Sequence, residues 1–192
     1  MTNFRIPSAS STRRVWLHVG TLFDGETVHR DAHVVYESDR IHFVGTDGTP
    51  PPTEVLNSGQ TVPDVTAPDA TLLPGLIEAH AHLFLDGGQL DFEQRAAYLL
   101  QSPTELLAAA QPRLAKLVTL GVTAVRDAGD KDGVGLALAR QYKSAHRPLM
   151  PYLDSPGAAI HHAGRYGKFM GSPIEDHASI EACVESRIAE GV

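Results

Sequence analysis

The chain has 192 residues, with 16 Lys+Arg against 23 Asp+Glu and a formal net charge of −7. That length holds one domain or pieces of two. The acidic balance excludes nucleic acid and anionic membrane as main partners, and a single cysteine, Cys183, excludes an intrachain disulfide framework and fits a reducing, cytoplasmic compartment.

Residues 1–12 are polar and Ser/Thr-rich, and we expect a disordered end there, with no apolar core for a signal peptide. Residues 13–71 read as short strands between turns. Val15–Val19 leads to a turn at Asp24-Gly25, and Ala32–Tyr36 and Arg40–Gly45 flank a hairpin turn at Glu37-Ser38-Asp39. Three consecutive prolines, Pro50 to Pro52, make the next segment a loop, because proline cannot donate to a ladder. The extended pattern resumes over 62–65 and 71–73, so this part is expected to form a small antiparallel β-sandwich module.

From Leu72 the character changes. Leu72-Leu73-Pro74-Gly75-Leu76-Ile77 is almost continuously apolar, the mark of a strand buried on both faces. Helix is expected over 90–100, and a second helix from Ser102, where Ser102-Pro103-Thr104-Glu105 forms a capping box with proline at the first helical position. Leu106, Ala110, Leu114 and Leu117 follow at helical spacing, with Pro112 expected to kink the helix and Gly121 to end it. A strand over 122–126, a helix over 134–144, a strand over 149–153 and a final helix capped by Ser179 complete a β-α-β-α-β-α pattern. Strands alternating with helices pair in parallel, in a doubly wound sheet or a (β/α)8 barrel, and periodicity does not choose between them.

His80 and His82 are two apart on the first of these strands and therefore project to one side, from the end where parallel α/β folds place their chemistry. Two imidazoles aimed at one point suit a divalent metal of borderline softness, zinc first. A bare His-x-His also arises by chance among ten histidines; the apolar strand opened by Pro-Gly is what favours metal. Glu78, two residues earlier, would face inward one layer deeper, shielded from solvent, either steadying a ligand imidazole or sitting in a buried ion pair.

The run Leu72-Leu73-Pro74-Gly75-Leu76-Ile77-Glu78-Ala79-His80-Ala81-His82 resembles the first-strand motif of the amidohydrolase superfamily of metal-dependent hydrolases, which usually has Asp where this chain has Glu78. Gly121–Gly129 is similar to that family's second-strand segment, and the β module to the one that precedes its barrel. The resemblance implies an α/β fold: an incomplete (β/α)8 (TIM-type) barrel, its first three βα units over 72–192, after the module over 13–71. It also implies one or two divalent metal ions held first by His80 and His82, with water activated by the metal to hydrolyse a C–N (amide-type) bond.

The loop after the third strand carries His161, His162 and Arg165, and such loops build substrate pockets. A Gly/His-rich segment in a similar place in prolidase-like members makes these three substrate-binding candidates, with Arg165 pairing a carboxylate. A solvated polar loop is the rival reading. Arg126 and Asp127 are taken as structural, His18, His29, His33 and His42 as surface or satisfied histidines, and Cys183 as a small buried hydrophobe.

A barrel needs eight βα units in about 250 residues, and three units leave open edges and only two metal ligands. We therefore expect the N-terminal part of a hydrolase that is inactive until the remaining barrel segment joins it, with a small-molecule substrate and a homo-oligomeric state. A prolidase-like acyl-amino acid or dipeptide is the first reading of the substrate, and deamination within the same superfamily the alternative. A non-catalytic α/β domain or assembly module stays open as a different class.

Overall fold

The computed structural model describes residues 13–144 and 150–191, so the polar end expected over 1–12 lies outside the described residues. The chain divides into two compact units, with the boundary between Pro74 and Gly75.

In the first unit, β1 (Val15–Phe23), β2 (Val28–Glu37), β3 (Arg40–Gly45) and β4 (Val65–Leu72) form one four-stranded sheet in the order β3-β2-β1-β4. The turns sit where their chemistry places them. The Asp24 carboxylate accepts the N–H groups of Glu26 and Thr27 at 2.9 and 2.8 Å, and Glu37 pairs with Arg40 across a turn in which Ser38 adopts φ +54°. One expectation is corrected: the described residues form a single mixed sheet rather than an antiparallel sandwich, with β4 parallel to β1. A parallel neighbour requires a crossover of about a dozen residues or more. The segment 46–64, with its prolines and a 3₁₀ turn at Thr53–Val55, supplies that length. Asp64 closes the crossover by accepting the Trp16 N–H at 2.8 Å. Val15, Leu17, Val19, Ala32, Val34 and Ala67 form the core of this unit.

In the second unit, β5 (Leu76–Ala81), β6 (Val122–Asp127) and β7 (Tyr152–Asp154) make a parallel sheet in that order. Between β5 and β6 run α1 (Phe92–Tyr98) and α2 (Pro103–Thr119); α3 (Val134–Ser144) joins β6 to β7, and α4 (Ile180–Ala189) follows. Both halves of the capping box at Ser102 and Glu105 are made. The α2 helix runs on through Pro112, which leaves the Ala108 carbonyl without its usual helical donor. Leu106, Ala110 and Leu114 are buried, as their spacing predicts, with Phe84, Val125, Leu138 and Leu153.

One burial expectation is corrected. Leu72 closes β4, so β5 begins only at Leu76, and it is exposed along its length except for part-buried Ala81: Ile77 keeps 72% of its surface. As an edge strand, β5 has one neighbour, β6, among the described residues. In α4, Ser179 caps as expected, accepting the Ala182 N–H at 3.2 Å. Its apolar triplet Ile180, Val184 and Ile188 nevertheless faces solvent, while Cys183 and Arg187 are buried. A one-residue offset turns a helix face by about 100°, and the helix docks by the Cys183 stripe. Among the described residues no helix is long and apolar enough to cross a membrane.

Candidate metal centre

The ladder between β5 and β6 runs to Ala81, the last residue of β5, and fixes the backbone that carries the histidine pair. Ala81 pairs with Asp127, and the Ala128 N–H donates to the Ala81 carbonyl at 2.7 Å. His80 and His82 lie on successive same-side positions with ring centroids 5.5 Å apart and planes at 86°. His82 Nδ1 stands 3.1 Å from the Gly129 carbonyl. A carbonyl only accepts, so Nδ1 carries the proton and donates, which leaves the Nε2 lone pair for a ligand. Gly129 holds φ +146°, a conformation that L side chains rarely adopt, and so points its carbonyl at the imidazole.

Glu78 is exposed, contrary to the expectation that it would be shielded from solvent, on a strand whose one neighbour among the described residues is β6. Its Oε1 accepts the His80 backbone N–H at 2.9 Å, so the carboxylate restrains the main chain carrying His80. A cleft of about 410 Å³ opens beside the pair, lined by Glu78, His80, His82, Leu85 and Arg113 among others. Arg113 is anchored there: its guanidinium donates to the Leu83 carbonyl at 3.3 Å and the Tyr98 hydroxyl at 3.1 Å.

The donor set fits a divalent transition metal as far as it goes, since one imidazole is already held in the ligating tautomer by a carbonyl. Among the described residues no third His, Cys, Asp or Glu joins His80 and His82 at ligand spacing, whereas zinc takes three or four protein ligands.

Two carboxylates escaped the sequence reading as chemistry. Asp127, at the end of β6, is fully buried; its Oδ2 accepts from Ser155 Oγ at 2.9 Å and its Oδ1 faces the Leu83 N–H at 3.4 Å. Burial pushes its pKa up to about 7 against the opposing pull of the Ser155 bond. Asp130, in the loop between β6 and α3, is equally buried; its Oδ2 accepts the Leu136 N–H at 3.1 Å, and burial raises its pKa as well. Asp127 ties the residue after His82 to the loop after β7, a link that an Asp in a Gly-rich turn does not announce. Arg126, its neighbour in sequence, pairs with Asp154 instead.

The third-strand loop does not bring its candidates to this cleft: none of His161, His162 and Arg165 lines it. His161 is buried, with Nδ1 3.1 Å from the His162 carbonyl and Nε2 3.0 Å from the Gly171 carbonyl, so whichever nitrogen carries the ring proton donates within the loop. His162 is exposed and bonded to Glu175 at 2.9 Å; that bond, with the Ala163 N–H, holds the Glu175 carboxyl down at about 2. Arg165 is exposed. Cys183 is a free, fully buried thiol, as its place in a helix suggests.

No protein-family model matches the chain. Against curated proteins, it is 32% identical over 155 residues to an imidazolonepropionase of Pseudomonas aeruginosa (strain LESB58), a match spanning 68% of this chain and 36% of that protein. Among solved structures, it is similar to a Xaa-Pro dipeptidase with methionine bound in its active site, with a TM-score of 0.66 and 19% identity over 93% of this chain and 45% of that one. It is also similar to a protein described as an amidohydrolase, with a TM-score of 0.66 and 18% identity over the same shares of the two chains. The chain thus spans about a third of the length of the curated relatives it matches. The relatives' names, the shared fold and the motif running into His80 and His82 converge: the chain belongs to the amidohydrolase superfamily, of which it matches an N-terminal portion.

Proposed function

We propose that β5, β6 and β7 are the first three strands of a (β/α)8 barrel, and that His80 and His82 are the first ligands of its divalent metal, zinc first, as one or two ions. The reaction we assign is hydrolysis of a C–N (amide-type) bond in a small molecule. The observation that carries this reading is the His80–His82 pair at the C-terminal end of β5, with His82 Nδ1 held by the Gly129 carbonyl. When bound, the metal supplies an electrophile and a water acidic enough to attack at neutral pH. The chain's own groups position the site. The Gly129 carbonyl keeps the His82 proton on Nδ1, the Glu78 carboxylate holds the His80 backbone N–H, and Asp127 tethers Leu83.

The open edge of β5 and its exposed Leu76 and Ile77 suit the remaining barrel segment, since in a closed barrel every strand has two neighbours. The substrate class we favour is an acyl-amino acid or a dipeptide. The likeness to a dipeptidase supports it, with exposed Arg165 offered to a substrate carboxylate, while His162 is bonded to Glu175. His161, with a carbonyl facing each ring nitrogen, serves to hold the loop.

Elemental analysis and a dipeptide-hydrolysis assay test the reading, on the chain alone and on the chain co-produced with a polypeptide supplying the later strands. We expect a metal equivalent that His80→Ala removes, and hydrolysis, only in the second preparation, with a loss of about a thousandfold or more in activity in His80→Ala. Tight metal at this pair in the chain alone would sink the need for later strands, and retained activity in His80→Ala would remove the metal assignment.

A further inference from the structure

The first unit carries a constellation that hydrolysis at the barrel strands does not use. His18 on β1 and His33 on β2 stand directly opposite each other in the antiparallel register, their rings stacked at 4.2 Å between centroids and 20° between planes. Asp31 lies two residues before His33, and its Oδ1 is 2.6 Å from His18 Nε2. One ligand atom from each of the three residues falls within 4.8 Å of the other two, the one such group of three or more among the described residues. From these distances we infer a second divalent transition-metal site, built from His18, Asp31 and His33 on the β module and separate from the His80–His82 pair.

The site is built rather than incidental. Asp31 is held at φ +47°, and the Gly48 N–H donates to its carbonyl at 2.8 Å. A side chain at Gly48 would come within 2.8 Å of Asp31 Oδ2, so glycine there leaves the carboxylate room to act. Access is graded: the Asp31 side chain is 60% exposed, His18 28%, and His33 forms the buried floor. Two imidazoles and one carboxylate suit Zn²⁺, Ni²⁺ or Cu²⁺, each bound at about 2 Å. Ligand atoms on one such ion stand roughly 3 Å apart, so the cluster must tighten, and exposed Asp31 and part-exposed His18 are free to turn. The ion takes the place of the proton between His18 Nε2 and Asp31 Oδ1. Burial, reinforced by the nearby His18, lowers the pKa of His33.

The module also contains its own reporter. Trp16 Nε1 donates to His33 Nδ1 at 3.1 Å, which keeps a lone pair on Nδ1 and the ring proton on Nε2. A metal on Nδ1 displaces the indole. A metal on Nε2 moves the ring proton to Nδ1, where it faces the indole N–H. Either way the bond to Trp16 breaks, and Trp16 is the only tryptophan in the chain.

The test is a Zn²⁺ titration of the full 192-residue chain, in a buffer that does not chelate, read by Trp16 emission and by calorimetry. We expect a saturable emission change with one ion per chain, persisting in His80→Ala/His82→Ala, so that failure of the hydrolase reading leaves this signal standing. Should that double variant fold poorly, the emission change in the unaltered chain reads the same site. His18→Gln and Asp31→Asn should each weaken the apparent Kd tenfold or more; Asn tolerates the left-handed backbone that Asp31 adopts. No saturable emission change, or an unchanged Kd in both variants, overturns the proposal.

Discussion

β1 and β5 are both apolar strands that carry histidines, yet they end up in opposite environments. β1 is flanked by β2 on one side and β4 on the other, and Val15, Trp16, Leu17 and Val19 are all buried. β5 has β6 alone beside it among the described residues, and Leu76, Ile77, Glu78 and His80 are all exposed. The difference teaches that apolar composition sets only the capacity for burial. A neighbour has to be present to realise it, and the strand proposed to carry the chemistry is the one with a neighbour to gain.

This contrast can be broken by measurement. Leu17→Ala, at a site 6% exposed in the core of the first unit, should cost about 2–5 kcal/mol in urea unfolding followed by Trp16 emission; a loss under about 1 kcal/mol would mean the module is loosely packed. In the second unit, the buried carboxylate Asp127 sets a pH dependence. Its pKa rises from 3.8 unfolded to about 7 folded, so the native state binds more protons between those values and stability falls as pH rises from about 4 to 7. At about 1.4 kcal/mol for each pH unit crossed, the fall amounts to a few kcal/mol. Asp127→Asn should flatten that slope in denaturation curves collected across the range; an unchanged slope assigns it to other groups.

Smaller effects sharpen the comparison. Ser102→Ala removes the capping box of α2 and should lower stability by about 1 kcal/mol, measured by hydrogen exchange at the buried Leu114 amide. Ile77→Ala on exposed β5 should change the stability of this chain by less than about 0.5 kcal/mol. With the completing strands present, the same substitution should rise to about 2–5 kcal/mol. A large effect in the chain alone would show that β5 is already covered.

Local chemistry was legible because it acts over a few residues. Asp24-Gly25 and Ser38-Asp39 turn where their side chains and permitted φ values allow it, and Ser102 meets Glu105 one helical turn away. Between the two candidate sites, legibility differed. His80 and His82 announce themselves because they are two apart on one strand. His18 and His33 are cross-strand neighbours that only the β1–β2 register brings opposite. His161 could not be told from His162, since adjacent loop residues diverge, and only the carbonyls of His162 and Gly171 show which ring is clamped.

The sequence by itself determined the sites of the turns, the helix caps, the alternation of strands and helices after Leu72, and the same-side placement of His80 and His82. Each follows from a periodicity or a side chain acting within a few residues of itself. Only the tertiary structure decided that β4 runs parallel to β1, that Glu78 is exposed while Asp127 and Asp130 are buried, and that His82 keeps its proton toward Gly129. Those outcomes depend on which distant segments become neighbours, and burial, pairing and tautomer are properties of neighbours.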